Sequence, residues 1–447
     1  MILSFSFENW MSYQDEATLS MIGTLERQHK GTLAKLPGWR SKYVLPVGAI
    51  YGGNASGKTA VFKALATLKT MVVADPGVLG LIPVDPFRLC EGSLLKPTCF
   101  DLTFLAEGVV YRFVVEATQT HISYELLEVV SEKSSRVLYE RNGNTYNFDD
   151  HFYSDVEHVR YAAKSTRGNR LFLGSAVFQN VKELAGAFGW FVDTLSLIGV
   201  GSQAFSFATA AGTQEGFLEF ASNTLAALDT GIVRIEGEIV DMDLIPKDKR
   251  LADDIAALMY DEVLVLTIDR EAGDYGFEAF IIRRGSRGVE ARRLHTVHLG
   301  SDGEEHVLPL SSESSGTQRL MGLLPMLFDQ RRSDGSAGER VYVVDELDRC
   351  LHTMLTRRLI EDFLLSCDPD TRKQLLFTTH DLLLMDQSFM RRDEMYIAER
   401  SVNGESQLVG LSEYEGIRND KDLVKSYIDG RFGGIPMLRE VADGEKE

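Results

Sequence analysis

Gly52-Gly53-Asn54-Ala55-Ser56-Gly57-Lys58-Thr59 follows the pattern G-x-x-x-x-G-K-[ST]. Glycines let a backbone close tightly around phosphate, and main-chain N–H groups at a helix start point at the anion. In such a loop the lysine, here Lys58, reaches the β- and γ-phosphates, and the hydroxyl of Thr59 binds Mg²⁺. Two further groups can serve the same chemistry. Arg340-Val-Tyr-Val-Val-Asp345-Glu346 is an apolar run ending in two acids. Asp345 suits a Mg²⁺ ligand, direct or through water, and Glu346 suits a base that polarises an attacking water. Leu375-Leu-Phe-Thr-Thr-His380 is a second apolar run, ending in a histidine that can donate a hydrogen bond to a γ-phosphate.

Side chains 286 to 322 residues apart can meet only if the fold gathers them. Residues 44–51, VLPVGAIY, read as a buried strand and AVFKALATLKT after the loop as a helix, the context a phosphate loop needs. Val341–Val344 and Leu375–Thr379 read as further buried strands. Open α/β sheets bind ligands at the C-terminal edge of parallel strands, where all three groups then fall. Leu310-Ser-Ser-Glu-Ser-Ser315-Gly316-Thr-Gln318 is a Ser/Gly turn opening an apolar helix, whose first N–H groups and a hydroxyl are available to an anion. Residues 353–366 read as an amphipathic helix with Met354, Leu355, Leu359, Phe363 and Leu364 on its apolar side.

Composition narrows the setting. The 447 residues are 44% apolar and 25% charged, ordinary for a globular chain of two or three structural units. Lys plus Arg number 47 and Asp plus Glu 66, a net charge of −19 that lacks the global basic footprint of a nucleic-acid binder. No apolar run reaches the length of a membrane span. The opening MILSFSFENW has neither a basic n-region nor a cleavage site and does not read as a signal peptide. Cys90, Cys99, Cys350 and Cys367 form no CxxC pair and no zinc spacing, so a cytoplasmic protein with reduced thiols is expected.

The chain order of phosphate loop, long insertion, Ser-Gly helix start, Asp-Glu strand and His-ended strand resembles an ABC-type ATPase head. Ser314-Ser315-Gly316-Thr317-Gln318 resembles the LSGGQ signature, keeping its second, third and fifth residues. Asp348 resembles the D-loop acid and His380 the switch histidine. Phe7-Glu8-Asn9-Trp10-Met11-Ser12 resembles the "NF-x-S" strand of the RecF/SMC/OLD branch, with Trp10 in place of Phe. Gln179 is the Q-loop candidate, which the resemblance implies as a metal contact. Tyr427-Ile-Asp-Gly-Arg-Phe-Gly-Gly-Ile-Pro436 resembles the "Y-x-x-G-x-[FY]-G-x-x-P" segment of abortive-infection AAA/ABC ATPases, among them the RloA and AbiL groups and the AriA ATPases of PARIS antiphage systems. The resemblance covers residues 1–75 and 305–436. It implies ATP sandwiched between two heads with Mg²⁺, hence a homodimer or higher homo-oligomer, with Ser315, Gly316, Gln318 and Asp348 acting on bound ATP beside the phosphate loop.

Between these ends, TCFDLTFLA, VVYRFVVEA, ISYELLEVVS and SRVLYER read as antiparallel strands broken at Glu107-Gly108 and Thr118–Thr120. Residues 180–265 lean helical, and 276–299 read as a hairpin around Gly285–Gly288. That hairpin carries Arg283, Arg284, Arg287, Arg292 and Arg293. With few interleaved aromatics it reads as a solvated strand pair ahead of a DNA-contacting ridge. Only 67 residues follow His380, with no acidic nuclease cluster. The expected fold is an α/β ABC ATPase head (P-loop NTPase): residues 1–78 with the phosphate loop, an antiparallel β-subdomain at 79–150, an inserted mainly helical and hairpin region at 151–300, and the rest of the head at 301–447. The expected function is a nucleotide-gated ATPase that senses and restrains a separate toxic effector in antiphage defence. A RecF-like DNA repair or DNA-loading ATPase stands as the alternative. The Asn9 region and long insertion argue against a transporter subunit.

Overall fold

The computed structural model describes residues 1–199, 203–228, 230–246, 248–269, 277–286, 288–331, 338–414 and 422–433. The chain divides into a first unit of Met1–Leu197, Gly338–Leu347 and Arg357–Glu447, and a second of Ile198–Ala337 and Asp348–Thr356.

The first unit opens with β1 (Ile2–Glu8) and β2 (Ala17–Ser20), then a short ribbon of β3 (Ala34–Lys35) and β4 (Tyr43–Val44), then β5 (Val47–Tyr51). The strand expected over 44–51 is thus split at Pro46, which has no N–H to give a ladder. Helix α1 (Lys58–Val73) follows the phosphate loop, and α2 (Glu91–Leu94) is a single turn. The four strand-like runs after it are present as β6 (Thr98–Ala106), β7 (Val109–Ala117), β8 (Ile122–Val130) and β9 (Ser135–Asn142), with β10 (Thr145–Phe148) closing the meander. Glu107 and Gly108 both take positive φ, 50° and 79°, the backbone a two-residue hairpin turn requires. These strands form one antiparallel sheet in the order β10-β9-β8-β7-β6-β1-β2. From Ser4 to Glu8 the N-terminal strand pairs with β6 in continuous register, Phe7 opposite Phe100 and Phe5 opposite Leu102. Helices α3 (Val156–Ser165), α4 (Phe172–Phe178) and α5 (Ala185–Gly189) complete this part.

The second sheet of the unit holds the chemistry. Its order is β11 (Leu195–Ile198), β17 (Arg340–Val344), β18 (Lys373–Thr378), β5, β19 (Met395–Arg400), β20 (Ser406–Gly410). β17, β18, β5 and β19 run parallel, and β20 returns antiparallel. VGAIY is buried throughout and KQLLFT from its second residue on, because a parallel strand is covered on both faces. Helix α10 (Thr353–Leu365) leads back into the unit and α11 (Leu423–Ile428) lies near its end. Gln374 ties the two sheets together. Its amide oxygen accepts from Ile2 N at 2.8 Å, and its nitrogen donates to Ile2 O at 3.0 Å and Leu45 O at 2.9 Å. One buried side chain thus completes the backbone pairing of two strands that do not meet in a ladder.

The second unit is built on an antiparallel sheet of β12 (Ile232–Val240), β15 (Gly288–Leu299), β14 (Phe277–Gly285) and β13 (Val263–Asp269), with β16 (Glu305–Pro309) paired to β15. Phe277 and Ala279 join the cluster formed with α6 (Gln203–Thr213), α7 (Phe217–Ala227) and α9 (Ser315–Arg331), whereas Phe280 and Ile282 join Leu251 and Ile255 of α8 (Lys249–Ala257). The hairpin expected at 276–299 is present as β14 and β15. The stretch 180–265, read as leaning helical, contains β11, β12 and β13 besides α5 to α8. Its Ala/Leu-rich segments are helices, but IVRIEGEIV between them and VLVLTID after them are rich in β-branched residues; the first pairs with β15 far along the chain and the second with the neighbouring β14.

Candidate active site

All three groups singled out in the sequence emerge from neighbouring parallel strands at one edge. Val344 lies beside Phe377, and Thr378 beside Ile50, so β17, β18 and β5 end together. The loop after β5 needs its glycines. Gly52 has φ 151° and a Cβ there would lie 2.3 Å from the Ala398 carbonyl oxygen. Gly57 has φ 109°, and a Cβ would press on Ser406 Oγ at 2.8 Å and the Tyr13 ring at 2.9 Å. Ala55 between them also takes positive φ, 60°. Lys58 begins α1, and its Nζ donates to Gly52 O at 2.7 Å and Gly53 O at 2.8 Å and lies 3.3 Å from His380 Nδ1. His380 Nε2 is 3.8 Å from Glu346 Oε1. Lysine, histidine and glutamate therefore form a continuous string from three loops.

A second string lies beneath it. Thr59 Oγ1 donates to Asp345 Oδ1 at 3.3 Å, and Thr378 Oγ1 donates to the same oxygen at 2.7 Å. Asp345 is buried. Buried carboxylates are held by such donors.

Lys58, Thr59, Glu346 and His380 line a cavity of about 560 Å³, in the range of small-molecule sites. Asn54, Ala55, Ser56, Gly57, Lys58, Thr59, Glu346 and His380 form one side; Met11, Ser12, Asp85, Phe87, Arg88, Leu89 and Arg400 are on the wall as well. Lys58, Lys63, Arg88 and Arg400 stand against two carboxylates, Asp85 and Glu346. A cavity richer in cations within a chain of charge −19 suits a polyanion. The Ser56 hydroxyl is buried there without a hydrogen-bond partner. A narrow glycine cradle, that orphaned hydroxyl and a Thr–Asp pair beside a lysine fit a Mg²⁺-bound polyphosphate, since Mg²⁺ takes one or two protein oxygens and leaves the rest to phosphate and water.

The outer wall was not legible from motifs. It is positioned by the N-terminal segment. Asn9, at φ 51°, donates to Ser93 O at 2.8 Å and Lys96 O at 3.0 Å and accepts from Phe87 N at 3.1 Å. Asn9 thus pins the loop carrying Asp85 to Leu89. Trp10 Nε1 donates to Ala60 O at 2.8 Å, fastening the end of β1 to the first turn of α1. Tyr13 donates to Gly57 O at 3.4 Å, and burial raises its phenol so that it stays a neutral donor. Gln179 is elsewhere in the unit. It ends α4, its amide accepts from Ser165 Oγ at 2.8 Å and donates to Ser175 Oγ at 3.1 Å, and it is not on the cavity wall.

Ser315, Gly316, Gln318 and Asp348 belong to the second unit. Helix α9 begins at Ser315, as the Ser/Gly turn suggests. Ser314 Oγ accepts from Thr317 N at 3.1 Å, an N-cap bond. Gln318 Nε2 donates to Glu313 O at 2.8 Å. The Glu313 carboxylate is gripped from β15 by Thr296 Oγ1 at 2.5 Å and His298 Nε2 at 2.7 Å. A Cβ on Gly316 would come within 2.8 Å of Cys350 O, so glycine lets this helix start press on the turn that follows Asp348.

The arginines of the β14–β15 hairpin are engaged. Arg293 pairs with Glu278 and Arg292 with Glu290, both at 2.7 Å, and Arg283 and Arg284 donate to the carbonyls of Gly212 and Ile255. Arg287 lies outside the described residues. Of the C-terminal segment, Tyr427 to Gly433 are described: Tyr427 lies in the last turn of α11 and Phe432 O accepts from Tyr414 at 2.7 Å. Gly434, Ile435 and Pro436 lie outside.

A family model described as "AAA domain, putative AbiEii toxin, Type IV TA system" matches residues 48–160 and 215–386, well over half of the chain. The chain belongs to this family. The matched AAA-domain segments include the phosphate loop, the helix start at Ser315, the Asp-Glu strand and His380. Solved structures similar to this AAA-domain chain include an SMC head domain from Thermotoga maritima, 12% identical, covering 92% of this chain and 98% of that one at a TM-score of 0.36. An SMC head bound to the C-terminal winged-helix domain of ScpA is also 12% identical, covering 91% and 97% at 0.37. At such values neither carries weight on function, and the α/β fold rests on the topology above. No curated protein matches the chain. Among the described residues no helix is long and apolar enough to cross a membrane.

Proposed function

We propose that this AAA-domain protein binds ATP with Mg²⁺ in the 560 Å³ cavity and hydrolyses it slowly, coupled to assembly of two or more copies. The observation that carries this reading is the meeting of Lys58, Thr59, Asp345, Glu346 and His380 at one edge of the parallel sheet. Lys58 binds the β- and γ-phosphates once they replace the Gly52 and Gly53 carbonyls as its acceptors. Thr59 and Asp345 would hold the metal, which would supply positive charge against the phosphate oxygens. Glu346 takes a proton from the attacking water at Oε1 as the water oxygen bonds the γ-phosphorus and the bridging P–O bond to ADP breaks. His380 donates a hydrogen bond to a γ-phosphate oxygen. Ser315, Gly316, Gln318 and Asp348 act on the ATP of a neighbouring copy.

The biological role we infer is a nucleotide-gated sensor of antiphage abortive infection that holds a separate toxic effector. The family's printed description, with its toxin and Type IV TA system, supports a toxin–antitoxin setting. The Tyr427–Pro436 resemblance supports a defence ATPase. ATP state can govern an effector only through differing affinity of the two states for it. The test is to express the chain alone, then with its genomic neighbour, as wild type and Glu346→Gln. Neighbour retention that changes with nucleotide, and phage plating that drops only with both genes, are the expected results. A neighbour that never binds, with unchanged plating, overturns the defence role. Toxicity of the chain alone makes it the toxin itself. ATP binding and turnover measured on the same preparations test the enzymatic reading separately.

A further inference from the structure

The end of β17 has a geometric problem that one side chain in β18 solves. Successive side chains along a strand point to opposite faces. Asp345 and Glu346 are consecutive, yet Asp345 meets Thr59 while Glu346 faces the cavity near His380. The chain achieves this by placing Glu346 at φ 50°, a left-handed conformation that residues of its kind rarely adopt. Thr378, the last residue of β18 and buried, touches this turn three times. Its hydroxyl donates to Asp345 Oδ1 at 2.7 Å and accepts from Glu346 N at 2.7 Å, and its carbonyl accepts from Leu347 N at 3.0 Å. One hydroxyl supplies one donor and spare acceptor capacity, which is what the first two contacts require. Thr378 is itself fixed in the sheet beside Ile50 of β5, the strand that launches the phosphate loop.

We infer that Thr378 is a positioning residue: its hydroxyl locks the Asp345-Glu346 turn so that the metal-facing carboxylate and the water-facing carboxylate are presented together. The inference deepens the ATPase reading and rests on it for its catalytic consequence, while the lock itself is a property of the nucleotide-free chain. Outer-shell groups of this kind typically change metal affinity or activity by about 10–100-fold when removed.

The experiment compares full-length wild type, Thr378→Val, which keeps shape and the carbonyl contact, and Thr378→Ser, which keeps the hydroxyl. Hydrogen exchange at the Glu346 amide, read without nucleotide, rises in the valine variant. The Mg²⁺ needed for half-maximal nucleotide binding rises, and kcat falls, each by about 10–100-fold. Nucleotide affinity in EDTA and KM stay near wild type, and serine restores all three altered readouts. Valine matching wild type in exchange and metal requirement overturns the inference. So does serine as impaired as valine, or a valine variant that loses metal-free nucleotide affinity in step with kcat, since either marks Thr378 as packing only. If wild type binds Mg²⁺-nucleotide without turning it over, the hydrolysis reading fails and the exchange and metal arms still decide. If wild type binds no nucleotide, the site reading fails and exchange at Glu346 decides alone.

Discussion

The phosphate-loop edge of the first unit and the helix start at Ser315 in the second are held in opposite ways. At the edge, the chemically competent side chains hold one another: Thr59 to Asp345, Lys58 to His380, His380 near Glu346. At the helix start, supporting residues do the holding. Ser314 caps the helix, Glu313 is gripped by Thr296 and His298, and Gly316 packs on a carbonyl. A network of mutually bonded polar groups changes as a whole when one member changes. The supports of a presented helix start can be lost one at a time without breaking the others. The first region should therefore show mutational effects coupled within one chain, and the second effects that are felt by a partner copy.

The largest expected effect is from Glu346→Gln. It keeps shape and hydrogen bonding but removes the proton acceptor, so single-turnover hydrolysis should fall by about 10²–10⁴ while ATP affinity holds. A drop of only a few-fold in rapid-quench assays places the base elsewhere and breaks the first half of the comparison. Next comes Lys58→Ala. Losing a charge-assisted bond to phosphate should weaken ATP by roughly 100-fold in calorimetry, with the folded state retained. Unchanged affinity removes the phosphate-loop assignment.

Mixing Lys58→Ala with Ser315→Arg protein sharpens the second half. Each variant alone should be nearly inactive. If sites are shared across a two-fold dimer, random mixing leaves one intact site in each mixed dimer and restores about a quarter of wild-type turnover. No recovery, with mixed dimers demonstrated by mass spectrometry, places the whole site within one chain.

The smallest effect lies away from both regions. Glu394 precedes β19 at the end opposite the cavity edge, wholly buried, and burial pushes its carboxyl up to about 8 from 4.5. Between those values the folded chain holds a proton that the unfolded chain has released, so stability falls as pH rises from 4.5 to 8. Glu394→Gln can still accept from Arg391 N and should flatten that slope, raising the melting temperature at pH 8 by several degrees without changing kcat. A variant whose melting curve keeps the wild-type pH slope assigns the proton to another group.

Sequence made the edge readable because its residues are local. Eight consecutive residues form the phosphate loop, and each strand that presents an acid or histidine is an uninterrupted apolar run. The meander was readable for the same reason, its hairpins closing over two to four residues. What sequence did not show depends on distant partners. Ile232–Val240 pairs with β15 about 50 to 65 residues on, and its Ala/Leu-rich flanks masked its strand character. Asp85 to Leu89 and Arg400 carry no motif, and they reach the cavity wall because Asn9 pins one loop and β19 carries the other. Thr378 looked like any threonine inside an apolar strand. Gln179 has the right residue type, but its amide is engaged by Ser165 and Ser175.

The parallel sheet also dictates an order of events on the ribosome. β5 pairs only with β18 and β19, which begin at Lys373 and Met395, and Gln374 must arrive before Ile2 and Leu45 find their partners. Domains tend to fold as units as they emerge, and contacts between distant residues form slowly. The second unit, nested between, is complete by Thr356 and can close first. Until β18 and β19 emerge, the five residues of β5 ahead of the phosphate loop wait without their ladder, as a nascent segment that a chaperone would have reason to cover.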